Sequence, residues 1–193
     1  MDIMKKIYSI IVSLLLIQLV GCASVEMSSS KDDEQYKQFQ KPNENEVGLY
    51  VYRKPTIFGA ALKKDLYLDG QCFGETARGT YFYLKTTPGM HVVSTESEFS
   101  ENHIKSNFKG GKNYFIEQNI KIGVFAGGAS LIPRSEKKGQ EDVQKCKLAK
   151  IGNKISHTIA YTIGNIDEVD FPEDEIEKSP TPEIEVNNVK PNY

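Results

Sequence analysis

The hydrophobic positions of this chain fall into three regimes. Ile7 to Val20 is an almost unbroken apolar run behind Lys5 and Lys6, and Ala23 to about Glu46 is polar with no sustained apolar period. From Val47 to Ile163, short apolar runs alternate with turn residues, and the remainder is acidic. The middle regime reads as a succession of strands. Val47-Gly48-Leu49-Tyr50-Val51-Tyr52-Arg53 is rich in aromatic and β-branched residues, closes at Pro55, and is the expected first strand. Asp65 to Leu68 runs into Asp69-Gly70, a strong short-range hairpin signal, and Gln71 to Thr76 returns. Thr80 to Lys85 is a further strand, Pro88-Gly89 a turn, and His91 to Glu98 the next strand. Ile104 to Lys109 and Tyr114 to Ile120 flank Gly110-Gly111-Lys112, read as another hairpin.

Two later segments are less regular. Gly123, Gly127 and Gly128 interrupt the apolar stretch from Gly123 to Pro133, which fits a bulged strand or a loop folded over a sheet. Ser135 to Lys150 predicts the one helix: its acidic residues come early, its lysines late, and Gly152 follows its end. Ile155 to Ile163 alternates as a last strand; its isoleucines also fall at helical i, i+4 spacing, but their β-branching favours the strand. The expected fold is mainly β: a small antiparallel β-sandwich over 46–163, with a helix on its C-terminal side.

The N-terminal run is about 14 residues, short of the roughly 20 that a helix needs to span a ~30 Å hydrocarbon core, so it reads as a signal peptide over 1–21. Leu19-Val20-Gly21-Cys22 looks like the lipobox of bacterial lipoproteins. That resemblance implies a diacylglyceryl group on the Cys22 thiol, cleavage before Cys22, and acylation of the new amine. Two or three chains, at about 0.8 kcal/mol per buried methylene, make the attachment stable. The bilayer and the lipoprotein processing and sorting machinery are then the implied partners. Ala23 stands where an aspartate would favour inner-membrane retention, so the expected place is the outer membrane, facing the periplasm. Residues 22–45 read as lipidated cysteine plus flexible tether, with a reach of roughly 25 Å.

Charge adds an asymmetry. The chain carries a formal net charge of -2, yet its acidic residues crowd into 164–193, which holds four of the prolines and reads as a disordered tail. Nucleic acid is not expected as a partner, because no dense basic stripe with interleaved aromatics occurs.

Over roughly Val47 to Leu148 the chain resembles the bacterial lipoprotein domain-of-unknown-function family 2846. Leu49-Tyr50-Val51-Tyr52-Arg53, Leu68-Asp69-Gly70 with Gly74, Thr80-Tyr81-Phe82, Pro88-Gly89-Met90-His91 and Gly111-Lys112-Asn113-Tyr114-Phe115-Ile116 follow that family's order. More loosely, the Asp-Gly hairpin followed by Pro-Gly-x-His is similar to the PEGA type of surface β-sandwich. The resemblance implies architecture and envelope location, and it carries no activity.

Chemistry-bearing residues are sparse. His91 and His103 on neighbouring strands, with Glu96 or Glu101, are the candidate metal ligands, but no HxH, HxxxH or HExxH spacing supports them. His157 shares a face with isoleucines and reads as a buried histidine. No G-x-S-x-G elbow or phosphate loop occurs. No catalytic residue, metal or cofactor beyond the Cys22 lipid is therefore assigned. Cys72 and Cys146 remain as a candidate disulfide, worth about 4 kcal/mol in the chain-entropy model. Tyr50, Tyr52 and Arg53 form the candidate interaction face. The expected function is a non-enzymatic, membrane-anchored envelope lipoprotein that binds an envelope protein or glycan. The competing reading is an envelope hydrolase or metal-binding protein using His91 and His103.

Overall fold

A computed structural model of the chain describes residues 23–96, 102–121, 127–152 and 166–174, together with Lys5. Leu19, Val20, Gly21 and Cys22, the expected strand with His157, Glu98, Glu101 and the tail beyond Asp174 lie outside the described residues.

Alternation within each strand builds two layers. One sheet has the order β8-β7-β1-β4-β9, from Gly128–Arg134 (β8), Lys112–Lys121 (β7), Val47–Arg53 (β1), Thr80–Thr86 (β4) and Lys147–Leu148 (β9). The other has the order β3-β2-β5-β6, from Gln71–Thr76 (β3), Lys64–Leu68 (β2), Gly89–Thr95 (β5) and Asn102–Phe108 (β6). Val47, Leu49, Val51, Phe82 and Ile116 of the first sheet meet Leu66, Phe73, Val93, Ile104 and Phe108 of the second. Each such side chain contributes about 1.5–3 kcal/mol on burial, which makes this interlayer the main cohesive element. Inside it, Gln118 Nε2 donates to Thr95 Oγ1 at 2.7 Å and Gln118 Oε1 meets Thr76 Oγ1, so a polar strut also joins the layers. The architecture is the small β-sandwich that the pattern predicts.

The β2–β3 turn forms as its sequence dictates. Asp69 (φ 50) and Gly70 (φ 81) both take positive φ, which a type I′ turn requires. The Gly110-Gly111 turn does not form a hairpin. It crosses between the sheets, and β7 runs parallel to β1. The cause is tertiary: Gly111 (φ 73) donates its N–H to the Asn43 and Glu46 carbonyls at 3.1 and 2.9 Å, which seats the turn on the segment entering β1.

Three other expectations are corrected. The helix spans Glu136–Val143 (α2) and stops well before Lys150, because the backbone of Lys147 and Leu148 pairs with Thr80 and Tyr81 and buries Leu148. The polar segment 23–46 is not a free tether. Val25 packs against the core, Met27 bridges Ala149, and Ser30–Tyr36 is a helix (α1) whose Asp32 N–H is capped by the Ser29 hydroxyl at 3.1 Å. Seven residues do not hold a helix by propensity; this one is held by what it covers. The first part of the acidic tail is also docked: Val169 N–H donates to Lys105 O at 2.8 Å, and Phe171 packs against the core. Within the stretch from Gly123 to Pro133, Gly128 onward is strand β8, an edge strand that tolerates Pro133.

Candidate functional site

Strand β1 is buried on both faces. Its odd positions enter the sandwich and its even positions, Tyr50 and Tyr52, point outward, where Tyr81, Tyr83 and Phe115 of the flanking strands join them. Tyr50 stacks on Phe115 with centroids 4.9 Å apart and planes 9° apart, and Phe39 closes over both in edge contacts. The lid is fixed by the phenols themselves. Tyr50 OH donates to Tyr36 O at 2.8 Å and Tyr81 OH to Asp33 O at 3.3 Å. Burial pushes the Tyr50, Tyr52 and Tyr81 hydroxyls well above the usual phenol range, so they act here as neutral donors. Asn113 Nδ2 donates to Phe39 O and Gln40 O at 3.0 and 3.3 Å, completing the seam.

Beside the aromatic patch lies an ionic one. The Glu117 carboxylate, 3% exposed, takes Lys54 at 2.8 Å and the Arg134 guanidinium at 2.8 and 2.9 Å. The Asp142 carboxylate, 2% exposed, takes Lys138 at 2.8 Å, Lys145 at 3.5 Å and the Tyr52 hydroxyl at 3.2 Å. Burial alone would raise the Asp142 carboxyl, but the Lys138 bond and the charges of Lys138 and Lys54 outweigh it and leave it below the ordinary value. Two buried carboxylates thus sit among four cations. Next to them opens a groove of 510 Å³ between the β6–β7 turn and residues 170–174, with Lys109, Lys112 and Arg134 on its walls.

Comparison with known proteins adds to this geometry. The family model described as "Protein of unknown function (DUF2846)" matches residues 43–129. An uncharacterized protein of Haemophilus influenzae is 45% identical over 131 residues, which cover 68% of this chain and 77% of the relative. The chain belongs to the DUF2846 family. No solved structure matches it at a significant level. The family match starts just before β1 and ends at the start of β8, so α1, α2, β9 and the docked tail of this DUF2846 protein fall outside it.

Two of the family-like motifs prove to be one structural unit. His91 Nδ1 meets Asp69 Oδ2 at 2.7 Å, Val92 N–H donates to Asp69 Oδ1 at 2.9 Å, and His91 Nε2 meets Thr87 O at 2.8 Å. The Asp-Gly turn and the Pro-Gly-x-His turn of the DUF2846 domain are thereby locked together, and His91 has a structural task. The expected partnership of His91 with His103 does not form. Val93 pairs with Ile104 and both face the core, so His91 shares that face while His103 takes the opposite one, bonded to Ser94 Oγ at 2.6 Å. Among the described residues, no group of three or more His, Cys, Asp or Glu side chains could hold a metal ion.

The candidate interaction face is also corrected. Tyr50, Tyr52 and Arg53 are at most 2% exposed. Arg53 Nη1 donates to Leu62 O at 2.7 Å and Nη2 contacts Gly59 O, pinning the loop after β1, and burial lowers the guanidinium to about 10. The expected disulfide does not form either. Cys72 lies on β3, whereas Cys146 is buried in the aromatic patch of the other sheet, with Sγ 3.4 Å from Arg53 O, so the two do not bridge. The signal for the burial of β1 was present, since its run has no polar alternation and so reads as a strand covered on both faces. The Glu117 cluster had no local sequence signal, because fold topology brings Lys54 and Arg134 to it, whereas Lys138 and Lys145 lie at helical spacing from Asp142.

Proposed function

We propose that this DUF2846 protein is a lipid-anchored envelope lipoprotein whose sandwich is a non-enzymatic interaction module working close against the outer membrane, on its periplasmic side. The observation that carries this reading is the position of the folded body relative to Cys22. Val25 already packs against the core and Met27 already pairs with Ala149. Three residues of extended chain span at most about 10 Å, so a lipid on Cys22 holds the domain at the headgroups. The anchor supplies location and orientation together. The side chains that a hydrolase or metal reading would need serve structure instead, His91 in the turn lock and His103 on the other face.

Two measurements test this. Metabolic labelling with an alkyne fatty acid should mark the wild-type chain in the membrane fraction, and Cys22→Ser should abolish both the label and the membrane association. Cross-linking in intact cells, followed by mass spectrometry, should then recover one dominant envelope protein or glycan. Wild-type chain free of acyl label would refute the anchor, and no reproducible adduct would refute the interaction role.

A further inference from the structure

Residues 166–174 lie across the body as a strap with three distinct contacts. Glu168 bridges Lys105 in the parallel sense, and Val169 N–H donates to Lys105 O at 2.8 Å, adding backbone alongside β6. Phe171 inserts beside Phe108 and Tyr114, with centroids 5.6 and 4.9 Å away. Three residues further on, both oxygens of the Asp174 carboxylate accept the Lys137 N–H, at 2.9 and 3.2 Å, in the first turn of α2. Ser135, at the N-cap position of that helix, makes no capping bond with its own side chain. The end of α2 is therefore satisfied by a carboxylate from elsewhere in the chain.

These are the elements of peptide recognition: a strand edge for backbone bonds, an aromatic slot for one side chain, and a helix N-terminus for a carboxylate. The strap itself is lightly held. Phe171 is only half-buried, and Pro172, Glu173 and Asp174 are exposed. We propose that this groove is a binding site for an extended segment of a partner protein carrying an aromatic residue and, three positions later, a carboxylate, and that Phe171 and Asp174 occupy it as a ligand in cis. This inference rests on the interaction reading above and names the chemistry of the partner. A segment tethered in the same chain acts at an effective concentration on the order of millimolar, so the groove stays closed until a better-matched segment displaces the strap.

The test uses the chain from Ala23 onward, which contains every strand and helix described above, and a fluorescent nonapeptide with the sequence of residues 166–174. Fluorescence anisotropy should show saturable binding to the Phe171→Ala, Asp174→Ala double variant and at least tenfold weaker binding to wild type. Replacing the phenylalanine of the peptide by alanine, or its last aspartate by asparagine, should each weaken binding tenfold or more. Asp174→Asn, which keeps Phe171 in place, serves as a second protein variant and should bind the peptide with intermediate affinity. Absence of saturable binding to variants that keep the wild-type circular dichroism and thermal transition would overturn the proposal. So would equal binding to wild type, or self-association of the variants in place of peptide binding. The measurement needs only purified protein and peptide, so its failure is distinct from a failure to find a partner in cells.

Discussion

Gly139 offers a sharp test of how α2 sits on the sheet, because local and tertiary physics oppose each other there. Alanine in the middle of a helix is favoured over glycine by about 1 kcal/mol, so local preference alone predicts that Gly139→Ala stabilises. A Cβ at this position, however, would lie under 3.0 Å from Cβ, Cγ and Cδ1 of Phe115. Phe115 cannot retreat, since it is fully buried, stacked on Tyr50 and closed over by Phe39. Overpacking of this kind costs about 1–3 kcal/mol, and three contacts with an immobile side chain put it at the upper end. The net expectation is a loss of about 2 kcal/mol, a shift of roughly 1 M in the urea midpoint for a slope near 2 kcal/mol/M. Urea unfolding followed by circular dichroism measures it. Phe115→Ala alone should cost about 3–5 kcal/mol, and adding Gly139→Ala in that background should cost nothing further, giving a coupling of about 2 kcal/mol. A Gly139→Ala midpoint above wild type, or strict additivity with Phe115→Ala, would refute the close approach of α2 to the sheet.

Three further outcomes follow from the site. The Asp142 carboxyl is depressed in the fold, so its stabilisation is complete above about pH 4, where unfolded aspartate is ionised, and disappears as pH falls through the lower folded value. Asp142→Asn should therefore cost about 1–3 kcal/mol at pH 7 and flatten the acid limb of the stability profile, and an unchanged acid limb would contradict the assignment. Arg53→Lys replaces a fork that reaches both Gly59 O and Leu62 O with a single point donor. Limited proteolysis should then cut between Thr56 and Leu62 several-fold faster than in wild type. Unfolding the chain from Ala23 onward without reductant should release two reactive thiols. In the folded protein Cys146, buried and pushed up to about 12, should resist alkylation at pH 8.

Much of the layout was written locally. The β2–β3 hairpin follows from Asp69-Gly70, since two adjacent positive φ angles leave few other residue choices, and β1 and β4 follow from β-branched and aromatic runs bounded by Pro55 and Pro88. Where the pattern failed, the deciding interaction was distant. Gly110-Gly111 carries the same turn chemistry whether the chain doubles back or crosses to the other layer, and the choice is made by the Asn43 and Glu46 carbonyls. The helix α1 had a visible cap in Ser29 with Asp32 and Asp33 behind it, but only Tyr36 and Phe39 as apolar contacts, too few to show a period. The presence of Cys72 and Cys146 beside Cys22 cannot say which layer each one occupies, and the layers of Cys72 and Cys146 differ. The strap was hidden because its acidic composition mimics a solvated tail, while Phe171 and Asp174 are isolated signals with no period around them.

The central position of β1 has a consequence for how the chain reaches this fold. Its two neighbours are β4 and β7, and Val47 meets Lys112 about 65 positions later in the sequence. A ribosome adding roughly 5–20 residues per second needs about 3–13 s to supply that partner. Throughout this interval a seven-residue run apolar on both faces has at least one unpaired edge, which is a template for strand addition by other chains. The strand that organises the finished sandwich is also the one that most needs shielding while the rest is being made.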